Sequence, residues 1–280
     1  MKIGVFGLGI IGTAWADNLV ADGHEVFRWN RTPKNNPGFT ASAPDAAAKA
    51  EMLFIVVSDP AAVQSVLDQI LPVLKSGQIV IQSSTISPEA SRSFAAQVQK
   101  TGAAFLEAPF TGSKPAAEAR KTVYFIGGDM DVLERARPVL AGLSSHIEHI
   151  GTVGSASALK LAMNVNIALV SEALCESLAL ARAAGISDEK YFAVLKLNSS
   201  HSKMADLKQG KLQTKDYTPQ FSLKHMAKDL RLALGSVDAL NLPQTRGLVK
   251  LYEQGLASGW GDDDFIALMR LIDDARHSHP

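Results

Sequence analysis

A glycine-rich turn between a short apolar strand and a helix constrains this chain more than any other feature. The strand Lys2–Phe6 is followed at once by Gly7-Leu8-Gly9-Ile10-Ile11-Gly12, and a helix is predicted from there to about Asp22. In this context the first glycine allows the tight turn, the second lets the backbone approach a pyrophosphate, and the third lets the helix pack on the strand. The helix N-terminus adds partial positive charge. The segment therefore predicts a dinucleotide site, with a purely structural glycine turn as the alternative.

The residues after the second predicted strand, Glu25–Trp29, indicate which dinucleotide. A site selective for NAD carries an acidic residue here for the ribose hydroxyl, whereas this chain has Asn30-Arg31-Thr32. A guanidinium can pair with a 2′-phosphate through two parallel hydrogen bonds, and Lys34 adds a second positive charge nearby. The sequence predicts NADP, and the alternative is that Arg31 is an ordinary polar loop residue.

Strands and helices alternate along the first half of the chain, which predicts a doubly wound, largely parallel sheet. The predicted strands after the first two are Met52–Val57, Ile79–Gln82, Ala104–Glu107, Val123–Gly127 and His146–Ile150, and the helices between them start at Pro60, Ser87 and Asp129. Ligands of such sheets lie beyond the carboxyl ends of the strands. Candidate ligand-binding loops are therefore Ser58-Asp59-Pro60, Ser83-Ser84-Thr85 and Ala108 to Ser113, the last of which is rich in small residues suited to an anion-binding backbone nest.

The second half of the chain is predicted to be helical throughout. The fold prediction is a Rossmann-type domain over residues 1–154 and an all-helical domain over residues 155–280, which begins with a long interdomain helix over 155–184 that Ser155 or Ser157 would cap. The later helices are predicted over Asp188–Leu197, Lys203–Leu212, Ser222–Ala239, Pro243–Ala257 and Asp262–Ala275.

Two helical faces in this half carry candidate functional groups. Lys160 and Asn164 lie four residues apart, so they share one face of the long helix. Phe221, Lys224 and Lys228 share a face of a later helix, with Asp229 beside them as a possible ion partner. The plain alternative for each face is a solvated polar surface.

The composition favours a small-molecule partner. Basic and acidic residues number 28 each, which gives no electrostatic reason to expect nucleic acid or a membrane. The glycines of the first turn argue against a signal peptide, although the apolar segment imitates one. One cysteine, Cys175, excludes an internal disulfide and fits a reducing, cytoplasmic location, and we interpret it as a packing residue. His277 and His279 alone do not make a metal site, and no metal is expected.

Four motifs in order resemble the β-hydroxyacid dehydrogenase family, which includes 3-hydroxyisobutyrate and 6-phosphogluconate dehydrogenases. They are Gly7 to Gly12, Glu107-Ala-Pro109-Phe-Thr111-Gly112-Ser113, Gly151 to Asn164 with Lys160, and Phe221-Ser-Leu-Lys-His-Met-Ala-Lys228-Asp229. Within the family, Asn30-Arg31-Thr32 and the run Glu107 to Lys114 look most like the glyoxylate/succinic semialdehyde reductases. Phe110, Thr111 and Arg120-Lys121 depart from that pattern, which leads us to expect a bulkier pocket wall and a changed loop end.

The resemblance implies NADPH-dependent reduction of a small aldehyde or keto acid that carries a carboxylate. Lys160 would be the general acid, and Asn164 would hydrogen-bond the reacting oxygen. The substrate carboxylate would bind the amides of Thr111, Gly112 and Ser113 with Ser84 nearby, and Lys228 would contact both substrate and cofactor. The implied cofactor residues are Gly7, Leu8, Gly9, Ile10, Ile11, Gly12, Asn30, Arg31, Thr32, Lys34, Val57, Ser58 and Thr85.

Other functions stay open from the sequence. One is oxidation of 3-hydroxyisobutyrate or a related hydroxyacid, which cofactor preference would separate from the reductase. Another is reduction of imines, which is less favoured because such relatives generally lack the lysine present at 160. A third, of a different class, is a non-catalytic NADP-binding scaffold. A homodimer or homotetramer is expected, as in the family.

Overall fold

The structure, a computed structural model, describes residues 1–236 and 240–275. The chain divides into two compact units, of which the first spans Met1–Leu161 and the second begins at Ala162. This division falls inside one long helix, a little after the predicted boundary between residues 154 and 155. The first turns of that helix therefore belong to the first unit.

The first unit is built on an eight-stranded sheet. Its strands are β1 (Lys2–Phe6), β2 (Glu25–Trp29), β3 (Met52–Ile55), β4 (Ile79–Gln82), β5 (Ala104–Glu107), β6 (Phe110–Thr111), β7 (Thr122–Gly127) and β8 (Ser144–Gly151). The order is β2-β1-β3-β4-β5-β7-β6, with β8 also paired to β7. Strands β1 to β5 are parallel, whereas β7 runs antiparallel to β5 and β6 and parallel to β8. The predicted doubly wound sheet is confirmed, as a mixed sheet whose first five strands are parallel.

Helices cover both faces of this sheet. They are α1 (Ile10–Ala21), α2 (Ala43–Lys49), α3 (Pro60–Ile70), α4 (Pro88–Gln99), α5 (Lys114–Glu118), α6 (Met130–Leu143) and α7 (Ser155–Ala183), the last of which continues into the second unit. Strand side chains alternate between two buried layers, because successive residues of a strand point to opposite faces. Val5 packs in the layer with Trp15 of α1 and Leu140 of α6, and Phe6 packs in the layer with Ala46 of α2 and Val63 of α3.

Three short elements were not predicted, namely α2, β6 and α5. Helix α2 is seven residues long and begins at Ser42, whose side chain accepts a hydrogen bond from the Asp45 amide. The predicted strand Met52–Val57 is two residues too long. It ends at Ile55 because the amide of Val57 donates to the Ser84 hydroxyl instead of to a neighbouring strand.

The second unit is helical. After the end of α7 it contains α8 (Asp188–Leu195), α9 (Lys203–Thr214), α10 (Leu223–Gly235), α11 (Pro243–Ala257) and α12 (Met269–Ala275). The predicted helix Asp262–Ala275 begins late, as a 3₁₀ turn over Phe265–Leu268 that leads into α12. The reason is Asp264, a fully buried residue whose carboxylate caps that turn and pairs with Lys208 at 2.7 Å. The predicted helix end at Ala239, and His277 and His279, lie outside the described residues.

Helix α7 is unusually long and apolar. By length and composition its 29 residues could cross a membrane, and 33% of its most apolar window is buried. One such helix is weak evidence for a membrane span, because length and composition alone do not separate a membrane span from other long apolar helices. Burial raises the pKa of the Cys175 thiol to about 12, so this cysteine is an unreactive packing residue.

Candidate active site

The glycine-rich turn leaves space above the start of α1. A Cβ at Gly12 would collide with the carbonyl oxygen of Gly7, and a Cβ at Gly7, where φ is +107°, would collide with the Val56 carbonyl. These two glycines are required by the protein's own packing. Gly9 differs, because a Cβ there would meet no atom within 4 Å. The open space at Gly9 lies at a helix N-terminus that no side chain caps, which suits a bound pyrophosphate.

The backbone of the turn is tied to the residues after β2. The Leu8 side chain is fully buried, its amide donates to the Asn30 side chain at 3.0 Å, and its carbonyl accepts from the Lys34 ammonium. The Asn30 amide group in turn donates to the Thr32 carbonyl at 2.8 Å. Asn30 therefore fixes the position of the exposed Arg31 and Thr32 relative to the glycine turn. Ile10 and Ile11 begin α1, and Ile10 is exposed.

A cavity of about 490 Å³ adjoins these residues. That volume lies within the range of about 300 to 1,000 Å³ typical of small-molecule sites. Its walls combine the aromatic rings of Trp29 and Phe39 with polar groups of Asn30, Arg31 and Ser42. An apolar wall for a base and a guanidinium for a phosphate are the features that a phosphorylated nucleoside needs, so the residues present fit the dinucleotide expected from the sequence.

The loops after β3 and β4 are locked to each other. The buried Ser84 hydroxyl accepts from the Val57 amide at 2.8 Å, and the Gln82 side chain bonds both the amide and the carbonyl of Ser84. Ser58 donates to Asp59, whose carboxylate caps α3. Ser84 thus shapes the loop that carries Val57 and Ser58, and Thr85 follows it directly in the chain.

The segment after β5 is anchored by aromatic packing. The Phe110 ring lies 4.8 Å from the Trp15 ring and 6.4 Å from the Tyr124 ring, and it packs, partly buried, against the core of the first unit. The ring is only partly buried, so the expectation that Phe110 thickens the pocket wall stays a prediction. Thr111 pairs with Val123 in the sheet, and Gly112 and Ser113 lead into α5.

The loop end at Arg120 and Lys121, which departs from the family pattern, is held in place by hydrogen bonds of the Arg120 side chain. Arg120 adopts a left-handed conformation (φ +59°), which glycine adopts without the steric cost of a Cβ. Its guanidinium donates to Asp22 at 2.6 Å and to the carbonyls of Gly142 and Asn18. The hydrogen bond from Arg120 lowers the pKa of the Asp22 carboxyl. Arg120 thus holds the loop against the ends of α1 and α6.

The start of α7 is held by Glu107, a fully buried residue at the end of β5 that was not predicted as a site residue. Its Oε1 accepts from the amides of Gly154, Ala156 and Ser157 at 2.7, 2.8 and 3.4 Å. Its Oε2 accepts from the hydroxyls of Ser157 at 2.8 Å and Ser91 at 2.5 Å. The prediction that Ser155 or Ser157 caps this helix is therefore wrong. The capping oxygen belongs to Glu107, and Ser157 donates to it. Lys160, 8% exposed, follows one turn later.

The second unit places Asn164, Lys228 and Asp229 together. The buried Asp229 carboxylate accepts from the Asn164 amide group at 2.6 Å and lies 2.7 Å from the Lys228 ammonium. Asp229 was predicted as an ion partner, but its bond to Asn164 was not. That bond fixes the orientation of the Asn164 carboxamide.

One turn before Lys228, α10 carries the imidazole of His225. His225 bonds the Ser222 hydroxyl through Nδ1 at 2.8 Å and stacks on the Phe221 ring, with centroids 6.1 Å apart. Burial, and then the positive charge of Lys228, lower the pKa of His225. Within residues 1–236 and 240–275, no group of three or more side chains is arranged to hold a metal ion.

Comparisons with known proteins cover nearly the whole chain. Residues 2–151 match the family described as the NAD binding domain of 6-phosphogluconate dehydrogenase. Residues 154–272 match a second family, described as NAD-binding of NADP-dependent 3-hydroxyisobutyrate dehydrogenase. Glyoxylate/succinic semialdehyde reductase 1 of Arabidopsis thaliana is 29% identical over 97% of this chain and 98% of its own length. The 2-hydroxy-3-oxopropionate reductase of Escherichia coli is 29% identical over 98% of this chain and 97% of its own length. A 3-hydroxyisobutyrate dehydrogenase of Mycobacterium tuberculosis, solved with L-serine, superposes with a TM-score of 0.88 at 28% identity and covers 96% of this chain and 98% of its own.

Proposed function

The chain belongs to the β-hydroxyacid dehydrogenase family and is an NAD(P)-dependent oxidoreductase acting on CH–OH groups, and from that premise we propose that it reduces a small carboxylate-bearing aldehyde or keto acid with NADPH. The observation that carries the proposal is the orientation of Asn164. Asp229, which is itself paired with Lys228, holds the Asn164 carboxamide one turn from Lys160 on the same helix. Relatives named as glyoxylate, succinic semialdehyde and 2-hydroxy-3-oxopropionate reductases support the same substrate class.

The cofactor would be held by groups of the first unit. The amides at the start of α1 and the open space at Gly9 suit its pyrophosphate, and Arg31 with Thr32 suits a 2′-phosphate. Lys34, Val57, Ser58 and Thr85 complete the proposed contacts. When bound, the nicotinamide supplies the hydride that reduces the carbonyl carbon.

The protein's own residues would manage the oxygen and the carboxylate of the substrate. Reduction of a carbonyl places negative charge on its oxygen, and Lys160 would donate the proton that neutralises it. Such general acid catalysis typically contributes about 10² to 10⁴ in rate. Asn164 would hydrogen-bond the same oxygen. The amides of Thr111, Gly112 and Ser113 would bind the substrate carboxylate, since backbone amides attract anions. Lys228 is proposed as a further substrate contact, because an ammonium also attracts anions.

The experiment is a substrate and cofactor panel. Purified protein is assayed for NADPH and NADH consumption with glyoxylate, succinic semialdehyde and bulkier keto acids, and for reduction of NADP and NAD with 3-hydroxyisobutyrate. The proposal predicts turnover of a short semialdehyde with NADPH, and an Arg31→Ala variant whose KM rises about tenfold for NADPH but not for NADH. Turnover confined to 3-hydroxyisobutyrate would favour the oxidative alternative. NADPH binding without turnover of any substrate would favour the non-catalytic scaffold.

A cytoplasmic homo-oligomer is part of the same proposal. Only 33% of the most apolar window of α7 is buried, and Leu180 and Leu197 are 74% and 88% exposed. Apolar surface of this kind is characteristic of subunit contacts. Sedimentation equilibrium is expected to give two or four times the chain mass, and a monomer at micromolar concentration would contradict the oligomer.

A further inference from the structure

We propose that Glu107 is the positioning residue for Lys160, an inference that rests on the proposed function because it assumes that Lys160 donates the proton. Five hydrogen bonds converge on the Glu107 carboxylate, and four of them come from the first residues of α7 or the residue just before it. The residue is fully buried, so water does not compete for these groups. A charged acceptor at a helix N-terminus also makes stronger bonds than a neutral one.

The geometry of a helix connects this cap to Lys160. Ser157, which bonds the carboxylate through both its amide and its hydroxyl, lies three residues before Lys160. Cα–Cβ bonds on a helix lean toward its N-terminus, so the turn that Glu107 holds sets the backbone position from which the Lys160 side chain starts. An uncapped first turn leaves several amides without partners and frays. Loss of the cap would therefore allow the Lys160 ammonium to move while the rest of α7 stays helical.

The carboxylate is itself confined from the opposite side. A Cβ on Gly127, in β7, would collide with Glu107 Oε1 and lie 2.7 Å from Cδ and Cγ. Gly127 has no left-handed φ, so its glycine is needed only for the space that the carboxylate occupies. Ser91 of α4 bonds the outer oxygen. Contacts from β7 and α4 therefore restrict where the carboxylate can lie, and a positioning group requires such restriction.

Two variants remove the cap by different routes. Glu107→Gln keeps the shape but replaces one acceptor oxygen with an NH₂ group, and Gly127→Ala displaces the carboxylate without altering its charge. Ser202→Ala is the matched control, because it removes the ordinary cap of α9, where the Ser202 hydroxyl accepts from the Ala205 amide at 3.2 Å. The measurements are kcat, KM, NADPH affinity, the solvent deuterium isotope effect on kcat, and hydrogen exchange of residues 154–160.

For Glu107→Gln and Gly127→Ala we expect faster exchange at residues 154–160 and a kcat about a hundredfold lower, since a misplacement near 1 Å costs about that much. NADPH affinity should stay unchanged. The solvent isotope effect should rise, because proton donation becomes rate-limiting, whereas a loss of folded protein lowers kcat without changing that effect. The double variant should be no slower than the slower single variant, since both act through one cap.

Two results overturn the proposal. In the first, both cap variants exchange rapidly at residues 154–160 and yet keep the wild-type kcat. In the second, the cap variants have a lower kcat with an unchanged isotope effect, and the control variant loses as much kcat. Wild-type activity in the same assay tests the proposed function separately. A wild type that reduces none of the carbonyl substrates contradicts the function. An active wild type and an equally active Glu107→Gln, with its first turn exchanging freely, contradict only the positioning role.

Discussion

Alanine substitutions at Gly9 and Gly12 separate ligand contact from internal packing in the glycine-rich turn. A methyl group at Gly9 meets no protein atom within 4 Å, so Gly9→Ala should fold. Its cost is confined to the N-cap of α1, where alanine is poorer than glycine by about 0.5 to 1 kcal/mol. The methyl group would occupy the space proposed for the pyrophosphate. Loss of one charge-assisted hydrogen bond, about 1.5 to 3 kcal/mol, weakens NADPH binding about tenfold to a hundredfold.

Gly12→Ala should show the opposite pattern. Its Cβ would collide with the Gly7 carbonyl oxygen and lie 2.9 Å from Val56 Cγ1, and neither group can move without shifting β1 or the loop after β3. Overpacking of this kind costs about 1 to 3 kcal/mol or more. Thermal unfolding and fluorescence titration with NADPH measure both properties. If Gly9→Ala binds NADPH as the wild type does, the space above α1 is not the pyrophosphate site and the reasoning fails.

Three further predictions concern other contacts. Asp229→Ala should lower the free energy of unfolding in urea by about 1 to 3 kcal/mol and should also lower kcat, because the Asn164 amide loses its buried partner. Asp229→Asn keeps a hydrogen bond to Asn164, so it should lower stability and kcat less. Burial and the adjacent Glu176 raise the pKa of Glu172 from 4.5 to about 7, so its contribution to stability is complete below pH 4.5 and is lost as the pH rises through 7. The melting temperature of Glu172→Gln relative to wild type should therefore increase as the pH rises from 4.5 to 7. A difference in melting temperature that stays constant over this pH range would contradict the prediction. Arg120→Gly should be more stable than Arg120→Ala by about 1 kcal/mol in thermal unfolding, since only glycine is unstrained at this φ, and equal stability would show that the turn relaxes.

Elements with a strong local signal were predictable from the sequence. The glycine-rich turn predicted β1 and α1. The long stretch without helix breakers before Gly185 predicted α7, which ends at Ala183. Helix α2 was missed because seven residues rich in alanine show no clear apolar period. Strand β6 was missed because it has two residues, and its pairing with β7 depends on a turn that local patterns do not reveal.

The site was predictable where residues are close in sequence and unpredictable where they are not. The spacing of Lys160 and Asn164 placed both on one helical face. The bonds of Glu107 join residues about 50 positions apart, and Asp229 reaches Asn164 across 65 positions. The side chain of Phe110 could have faced either the pocket or the core, because a two-residue strand does not specify a face. Its packing against Trp15 depends on the twist of the sheet between them, which no local pattern encodes.

Substitution of Lys160 by alanine tests the central claim most directly. NADPH affinity is measured by fluorescence titration and turnover by NADPH consumption with the best semialdehyde or keto acid of the panel. The account predicts a kcat lower by about 10² to 10⁴ with NADPH affinity essentially unchanged, since the lysine supplies a proton and not a cofactor contact. Turnover near the wild-type rate in Lys160→Ala would contradict the assignment of the proton donor, and with it the mechanism proposed for this protein.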